Sequence, residues 1–330
     1  MVATEFKANW KTLLLSIVVS LLLMVGILHF VSAEKFFAEF SNINYLLLLV
    51  SVIFLLIMYV GMTYRIKIVL DAMQVNLKFI DMLKSHFVGM LLADFTPARS
   101  GYFATAAVLH YNYKAPPDKA MVSIFGPQIF DFALKAVAGT AAVIILLWKV
   151  TDEHNKPFLL VGSVVMSLGV ATMLLLLFSE RFLRLFTFSK KLPLVGGIYQ
   201  LLESMQKNSH IIVKKTPELL VLLLFTWSAK AISWYFVGKA LGITIDIGIP
   251  ELAFYYLFQP LVTMLEFIPL PTLAGTGASE AGSAFIFAAL GMNPATGAAF
   301  AFLARIKTTV VNMVAVPETL RMLPQLVKKT

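Results

Sequence analysis

Long apolar runs alternate with short polar connections over nearly the whole chain. Six runs reach the roughly 20 residues that a membrane-crossing helix needs: 12–32, 45–64, 120–149, 158–178, 218–242 and 295–316. Two further stretches are broken. Residues 83–93 and 102–112 flank Asp94 to Gly101 (DFTPARSG), and the apolar runs 252–268 and 283–290 flank Leu270 to Gly282 (LPTLAGTGASEAG). Prolines, glycines and charges in these breaks spoil a continuous membrane helix. Broken backbone at membrane depth is tolerated only where protein or a wet cavity satisfies its polar groups, and in transporters such breaks lie at substrate sites.

Composition agrees with the pattern. Of 330 residues 59% are hydrophobic and 14% charged, and mean hydropathy is +0.84; a soluble domain carries about 25% charged residues. The fold class is therefore an all-α polytopic integral membrane protein, read as one transmembrane domain over 1–330. The absence of cysteine excludes disulfides, thiolate metal sites and cysteine nucleophiles. A net charge of +9 would suggest nucleic acid in a soluble protein. Here basic residues gathering on cytoplasmic loops explain it, and no nucleic-acid partner is expected. The first run, longer than a signal peptide's apolar core of 7–15 residues, reads as an uncleaved span.

Counting Lys and Arg orients the chain. Arg65, Lys67, Lys78 and Lys84 follow the second run, and the segment 179–217 holds seven more; both are placed in the cytoplasm, with both termini. Lys35, Lys149, Lys156 and Lys239 then lie outside, and five cations lie at membrane depth. This orientation forces 85–109 to enter and leave on one face, and 252–290 to do the same from the other. Two units of span, re-entrant hairpin and span result, about 45–149 and 218–316, with opposite orientation in the plasma membrane. Inverted repeats of this kind are common among secondary transporters. Pro97 and Gly101 align with Pro271 and Gly275, and Pro117 with Pro294. The segment 179–217 reads as an interfacial helix on anionic lipid or as a linker helix under the bundle.

The third and last spans each carry a polar stripe. Gln128, Asp131 and Lys135 share a helix face, and Arg305, Thr308 and Asn312 repeat their spacing at equivalent positions, with Thr309 beside them. Each charge in a bilayer costs about 2.5–3.5 kcal/mol on insertion scales. Two readings stand: Asp131 simply pairs with Lys135 four residues on while Arg305 joins helices, or the stripes face a cavity that receives an anionic head group. Arg99 and Arg305, with Lys135, would hold phosphate. Ser100 and Ser279 are candidate helix caps. Glu280 is either a counter-ion to Arg305 or a proton carrier. Lys230 and Glu266 either pair or serve the cavity, and Lys307 either snorkels or does so.

No Walker, HExxH or G-x-S-x-G motif occurs, and the five histidines are scattered. The residues name no catalyst, cofactor or metal site. A membrane-embedded enzyme acting on lipid phosphates, and a non-transporting partner of a separate lipid synthase, stay open as alternatives to a transporter. So does a homodimer.

The second hairpin and the span after it resemble the lysylphosphatidylglycerol synthase transmembrane-region family, the flippase-like domain of multiple peptide resistance factors. Its pattern P-T-P-G-G-x-G-x-x-E is matched by Pro271, Thr272, Gly275, Gly277 and Glu280. Its G-[VM]-x-x-x-x-A-x-A segment and following arginine correspond to Gly291-Met292, Ala299, Ala301 and Arg305. Pro97, Arg99 and Gly101 look like the P-x-R-x-G element of its first hairpin. Leu273, Ala274 and Ser100 depart from the pattern. The resemblance implies translocation of a lipid, whether anionic, aminoacylated or polyisoprenyl-linked. With no aminoacyl-transfer domain following, it does not imply lysyl-lipid synthesis.

Overall fold

In this computed structural model the described residues are 10–147, 179–185, 209–265 and 271–327, with a few isolated positions between 164 and 203. Among them every regular element is helical. The order is α1 (Trp10–Val31), α2 (Ala33–Ala38), α3 (Tyr45–Ala72), α4 (Phe79–Asp94), a 3₁₀ segment (Pro97–Phe103), α5 (Ala104–Tyr113), α6 (Pro117–Leu147), α7 (Glu180–Leu185), α8 (Ser209–Lys214), α9 (Thr216–Ala240), α10 (Glu251–Leu265), α11 (Ala278–Ala289), α12 (Pro294–Asn312) and α13 (Val316–Val327). Among the described residues, five helical stretches are long and apolar enough to cross a membrane: Leu14–Val31, Tyr45–Ala72, Pro117–Ile145, Thr216–Ala240 and Pro294–Met322. The expected span 158–178 lies outside the described residues but for four isolated positions, and Glu266, Pro269, Leu270 and most of 179–217 lie outside them too. The protein is thus an all-α polytopic membrane protein. Its outer faces fit lipid, since Leu21, Leu22 and Val25 on α1 and Tyr45, Leu46 and Leu49 on α3 are exposed.

The four described helices that flank the two breaks are each too short to cross. At 1.5 Å per residue, α4 (16 residues) measures about 24 Å and α5 (10 residues) about 15 Å. Helices α10 (15 residues) and α11 (12 residues) measure about 22 and 18 Å. A hydrocarbon core of about 30 Å exceeds all four. Local chemistry shapes both breaks. Pro97 opens the 3₁₀ segment, and the Thr96 hydroxyl accepts the Gly101 amide at 2.6 Å. Gly101 has no room for a side chain: a Cβ there would lie 2.3 Å from the carbonyl of Leu92. In the second break, Gly275 and Gly277 take φ of 75° and 90°, the left-handed region that glycine enters without a Cβ penalty.

The element order long, short, break, short, long occurs twice, in α3–α6 and in α9–α12. Both closing helices start on a proline, Pro117 and Pro294, which is favoured at the first helical position. Packing between the units is reciprocal. The opening helices α3 and α9 lie against each other. The hairpin helix α4 packs on α12, and its counterpart α10 packs on α6. Buried Ile66, Leu70, Leu109 and Ile124 form one core. Trp234, Phe254, Tyr255, Phe258, Phe287 and Phe300 form the other, with rings edge-on or stacked. Helix α1 leans on the second unit, where the Ser20 hydroxyl accepts the Leu273 amide at 2.8 Å.

The second span runs further than its apolar stretch suggests. Helix α3 continues to Ala72 and carries Arg65 and Lys67, which are therefore not loop residues. Lys67 pairs with Asp71, one turn on, at 2.8 Å. Arg65 turns inward and is only 3% exposed.

Candidate functional site

A cavity of about 490 Å³ lies between the two units, walled by α3, α4, α6, α9, α10 and α12 together with the 3₁₀ segment and the start of α11. Most of its wall is apolar, from residues such as Leu55, Met58, Phe125, Phe132 and Trp227. Into this wall are set most polar groups of the two stripes. Gln128, Asp131 and Lys135 reach it from α6, Arg305 and Thr308 from α12, and Arg99 and Ser100 from the first break. Proline interrupts two of the walling helices, Pro127 in α6 and Pro260 in α10. Each removes an amide donor from the ladder.

The charges are organised by hydrogen bonds. Lys135 Nζ lies 2.7 Å from Asp131 Oδ2, and both side chains also line the cavity. Arg305 donates from Nε to Glu280 Oε1 at 2.8 Å, from Nη1 to the Ala274 carbonyl at 2.8 Å, and from Nη2 to the Ser279 hydroxyl. Glu280 is fully buried, and its Oε2 accepts the Gly277 amide at 2.7 Å. The carboxylate therefore closes the first turn of α11 and holds Arg305 at once. Because the side chain at the third helical position performs this cap, Ser279 is no N-cap; it serves Arg305. Ser100 caps nothing either, since Thr96 supplies the hydroxyl at the first break.

A parallel network holds the first tip. Arg99 Nη2 lies 3.3 Å from Asp94 Oδ1, and Asn312 Nδ2 donates to Asp94 Oδ2 at 2.7 Å. The Tyr59 hydroxyl donates to Asn312 Oδ1 at 2.8 Å. Asn312 and Glu280 thus stand behind the wall and do not line it, while positioning Arg99 and Arg305, which do. Pro97, Gly101, Pro271, Gly275 and Gly277 shape the two tips and also lie off the wall. The tips meet where the Ala274 amide donates to the Thr96 carbonyl at 3.3 Å.

Three cations complete the wall. Arg65, which charge counting puts in a loop, donates to the Pro127 carbonyl at 2.7 Å. Lys307 does not snorkel: it is 5% exposed and donates to the Ser233 hydroxyl at 2.7 Å. Lys230 lies over the Trp234 ring, 5.2 Å from its centroid. Tyr59, Tyr102, Ser233, Gln259 and Thr263 also line the cavity, and the sequence reading passed them over. A signal was there. Leu55, Met58, Tyr59, Met62 and Arg65 keep helical spacing along α3, as do Thr226, Trp227, Lys230, Ser233 and Trp234 along α9.

Against known families, the one described as Lysylphosphatidylglycerol synthase TM region matches residues 13–315. The chain belongs to that family. Its members' name ties it to membrane lipids, and with five spanning-length helices the protein is a multi-pass membrane protein with a lipid-related function. A search of curated proteins found no match.

Proposed function

We propose that the protein is a lipid flippase of the plasma membrane, with both termini cytoplasmic, and that the cavity receives the head group while the tails stay in lipid. The observation that carries this reading is a cavity between the two units into which two arginines reach, Arg99 from the first broken tip and Arg305 from α12, where it is bonded to the second tip. Charges at membrane depth cost too much to be kept as mere helix glue in such number. Arg99 and Arg305 grip phosphate, Lys135 and Thr308 assist, and Asp131 and Gln128 complete the polar floor. Two re-entrant hairpins in inverted units gate the cavity alternately, and the reciprocal packing of α4 on α12 and α10 on α6 supports that symmetry. The contact between Thr96 and Ala274 is the natural point of opening.

Reconstituted into liposomes, the protein is expected to move a fluorescent anionic phospholipid between leaflets, measured by chemical quenching of the outer leaflet. Arg99→Gln and Arg305→Gln should each abolish the movement. Undiminished transport by both variants would sink the assignment. Chemical turnover of the lipid phosphate without movement would establish an enzyme instead.

A further inference from the structure

The cavity wall also holds an unmet acceptor. Of the seven buried side-chain atoms without a hydrogen-bond partner among the described residues, only Gln259 Oε1 belongs to a residue that lines the cavity. Gln259 sits on α10 and is 2% exposed. One turn on, the buried Thr263 lines the same wall and donates its hydroxyl to the Gln259 carbonyl at 2.8 Å. That bond engages the main chain of Gln259 and not its side-chain amide. The two hairpins differ here. Helix α4 gives the cavity Met90 and Asp94, and Asp94 is held by Arg99 and Asn312. Helix α10 gives it Gln259, Val262 and Thr263, none of them charged. Ser233 and Lys307 reach the same wall from α9 and α12. Lys307 Nζ donates to Ser233 Oγ at 2.7 Å, and Ser233 Oγ donates in turn to the Ser51 carbonyl at 2.7 Å.

A buried polar atom without a partner is costly, so one on a cavity wall points to a group that fills it. An amide side chain carries one acceptor and two donors, and a group that satisfies all of it must both donate and accept. A hydroxyl does both. An ammonium only donates, so it serves half of the amide and offers nothing to Lys307, which itself only donates. The match to a hydroxyl also survives exchange of the amide oxygen and nitrogen. Resting on the flippase reading above, we propose that Gln259 is a specificity residue that reads hydroxyl groups on the head group beyond the phosphate. The cavity then takes a lipid whose phosphodiester carries a polyol, a glycerol or a sugar, over one carrying an amine or a plain alkyl group. At about 490 Å³ it lies within the usual range for ligand pockets, roughly 300–1,000 Å³, and suits a head group of that size more than a whole lipid.

Trp227 and Trp234 in the wall give the test its signal. The purified full chain in neutral detergent is titrated with dioctanoyl phosphatidylglycerol, dioctanoyl phosphatidylpropanol, dioctanoyl phosphatidylethanolamine and glycerol phosphate, following tryptophan fluorescence. The first two lipids share charge and tails, so the difference between them isolates the hydroxyls. Phosphatidylglycerol should bind about tenfold or more tighter than either other lipid. Equal affinity for phosphatidylpropanol overturns the proposal, and so does phosphatidylethanolamine bound as tightly as phosphatidylglycerol. Glycerol phosphate should bind about tenfold or more weaker than phosphatidylglycerol; equal affinity would mark a site for free polyol phosphates and overturn the lipid assignment. Gln259→Leu should weaken phosphatidylglycerol by about tenfold and change phosphatidylpropanol by less than about twofold. An equal loss for both lipids overturns the role given to Gln259. The rank order on the unmodified chain decides the hydroxyl preference even where the variant fails to fold. That preference with no transport in liposomes overturns the flippase and leaves the specificity. Transport with no preference overturns the specificity and leaves the flippase.

Discussion

The amide of Ala274 donates to the carbonyl of Thr96 at 3.3 Å, so the tips of two hairpins from opposite ends of the chain touch beside the cavity. Both groups of this hydrogen bond are backbone, and such a bond is worth about 0.5–1.5 kcal/mol net. An interaction of that size opens readily. With no native cysteine in the sequence, Thr96→Cys and Ala274→Cys can be joined by a short bifunctional thiol reagent that leaves the rest of the chain untouched. The joined protein should lose lipid movement and regain it on reductive cleavage of the linker. Full transport by the joined protein would show that the tips do not part.

Removing one partner of a buried ion pair costs more than removing both. Glu280→Gln leaves Arg305 without its charge partner and weakens the cap on α11. A loss of about 3–5 kcal/mol is expected, seen as a lower melting temperature. The double variant with Arg305→Gln should recover part of that loss. If the double variant is the least stable of the three, the two side chains do not act as a pair.

Asn312 joins Tyr59 to Asp94 across 253 and 218 residues of sequence. Asn312→Ala strips a donor from Asp94 and an acceptor from Tyr59, at a cost of about 1–3 kcal/mol for the groups left buried. Asn312→Asp should be worse, because it sets a second carboxylate against Asp94. Thermal unfolding of the two variants, compared in one detergent, checks the ranking.

Two glycines give opposite predictions. A Cβ at Gly101 would lie 2.3 Å from the backbone of Leu92, whereas nothing lies within 4 Å of one at Gly26. Gly101→Ala should therefore cost about 1–3 kcal/mol through forced backbone movement. Gly26→Ala, in the interior of α1, should be neutral or stabilising by up to about 1 kcal/mol. Equal effects on the melting temperature would refute the close packing of the first tip.

The helices were legible because a bilayer demands apolar length, and few other pressures produce runs such as 45–64 or 218–242. Both breaks were legible for the complementary reason: proline, glycine and charge have no place in a lipid-facing helix. Arg65 shows where such reasoning stops. It follows the apolar run by one residue, and a rule that assigns basic residues to cytoplasmic loops has no means of seeing α3 continue to Ala72. Lys307 stayed open for a related reason, since a long side chain can reach either water or a cavity and only packing decides. The pairings of Asp94 with Asn312 and of Arg305 with the Ala274 carbonyl join distant segments. Spacing along one helix carries no information about them.

The reciprocal packing of α4 on α12 and α10 on α6 bears on how the protein is made. During synthesis the first hairpin leaves the ribosome while the helix that will cover it is still unmade, so Asp94 and Arg99 wait in an incomplete setting until Asn312 arrives. Neither half holds a finished tip by itself. Chains truncated after α6 should be cleared by quality-control proteases, and separately expressed halves should be rescued from degradation only by each other.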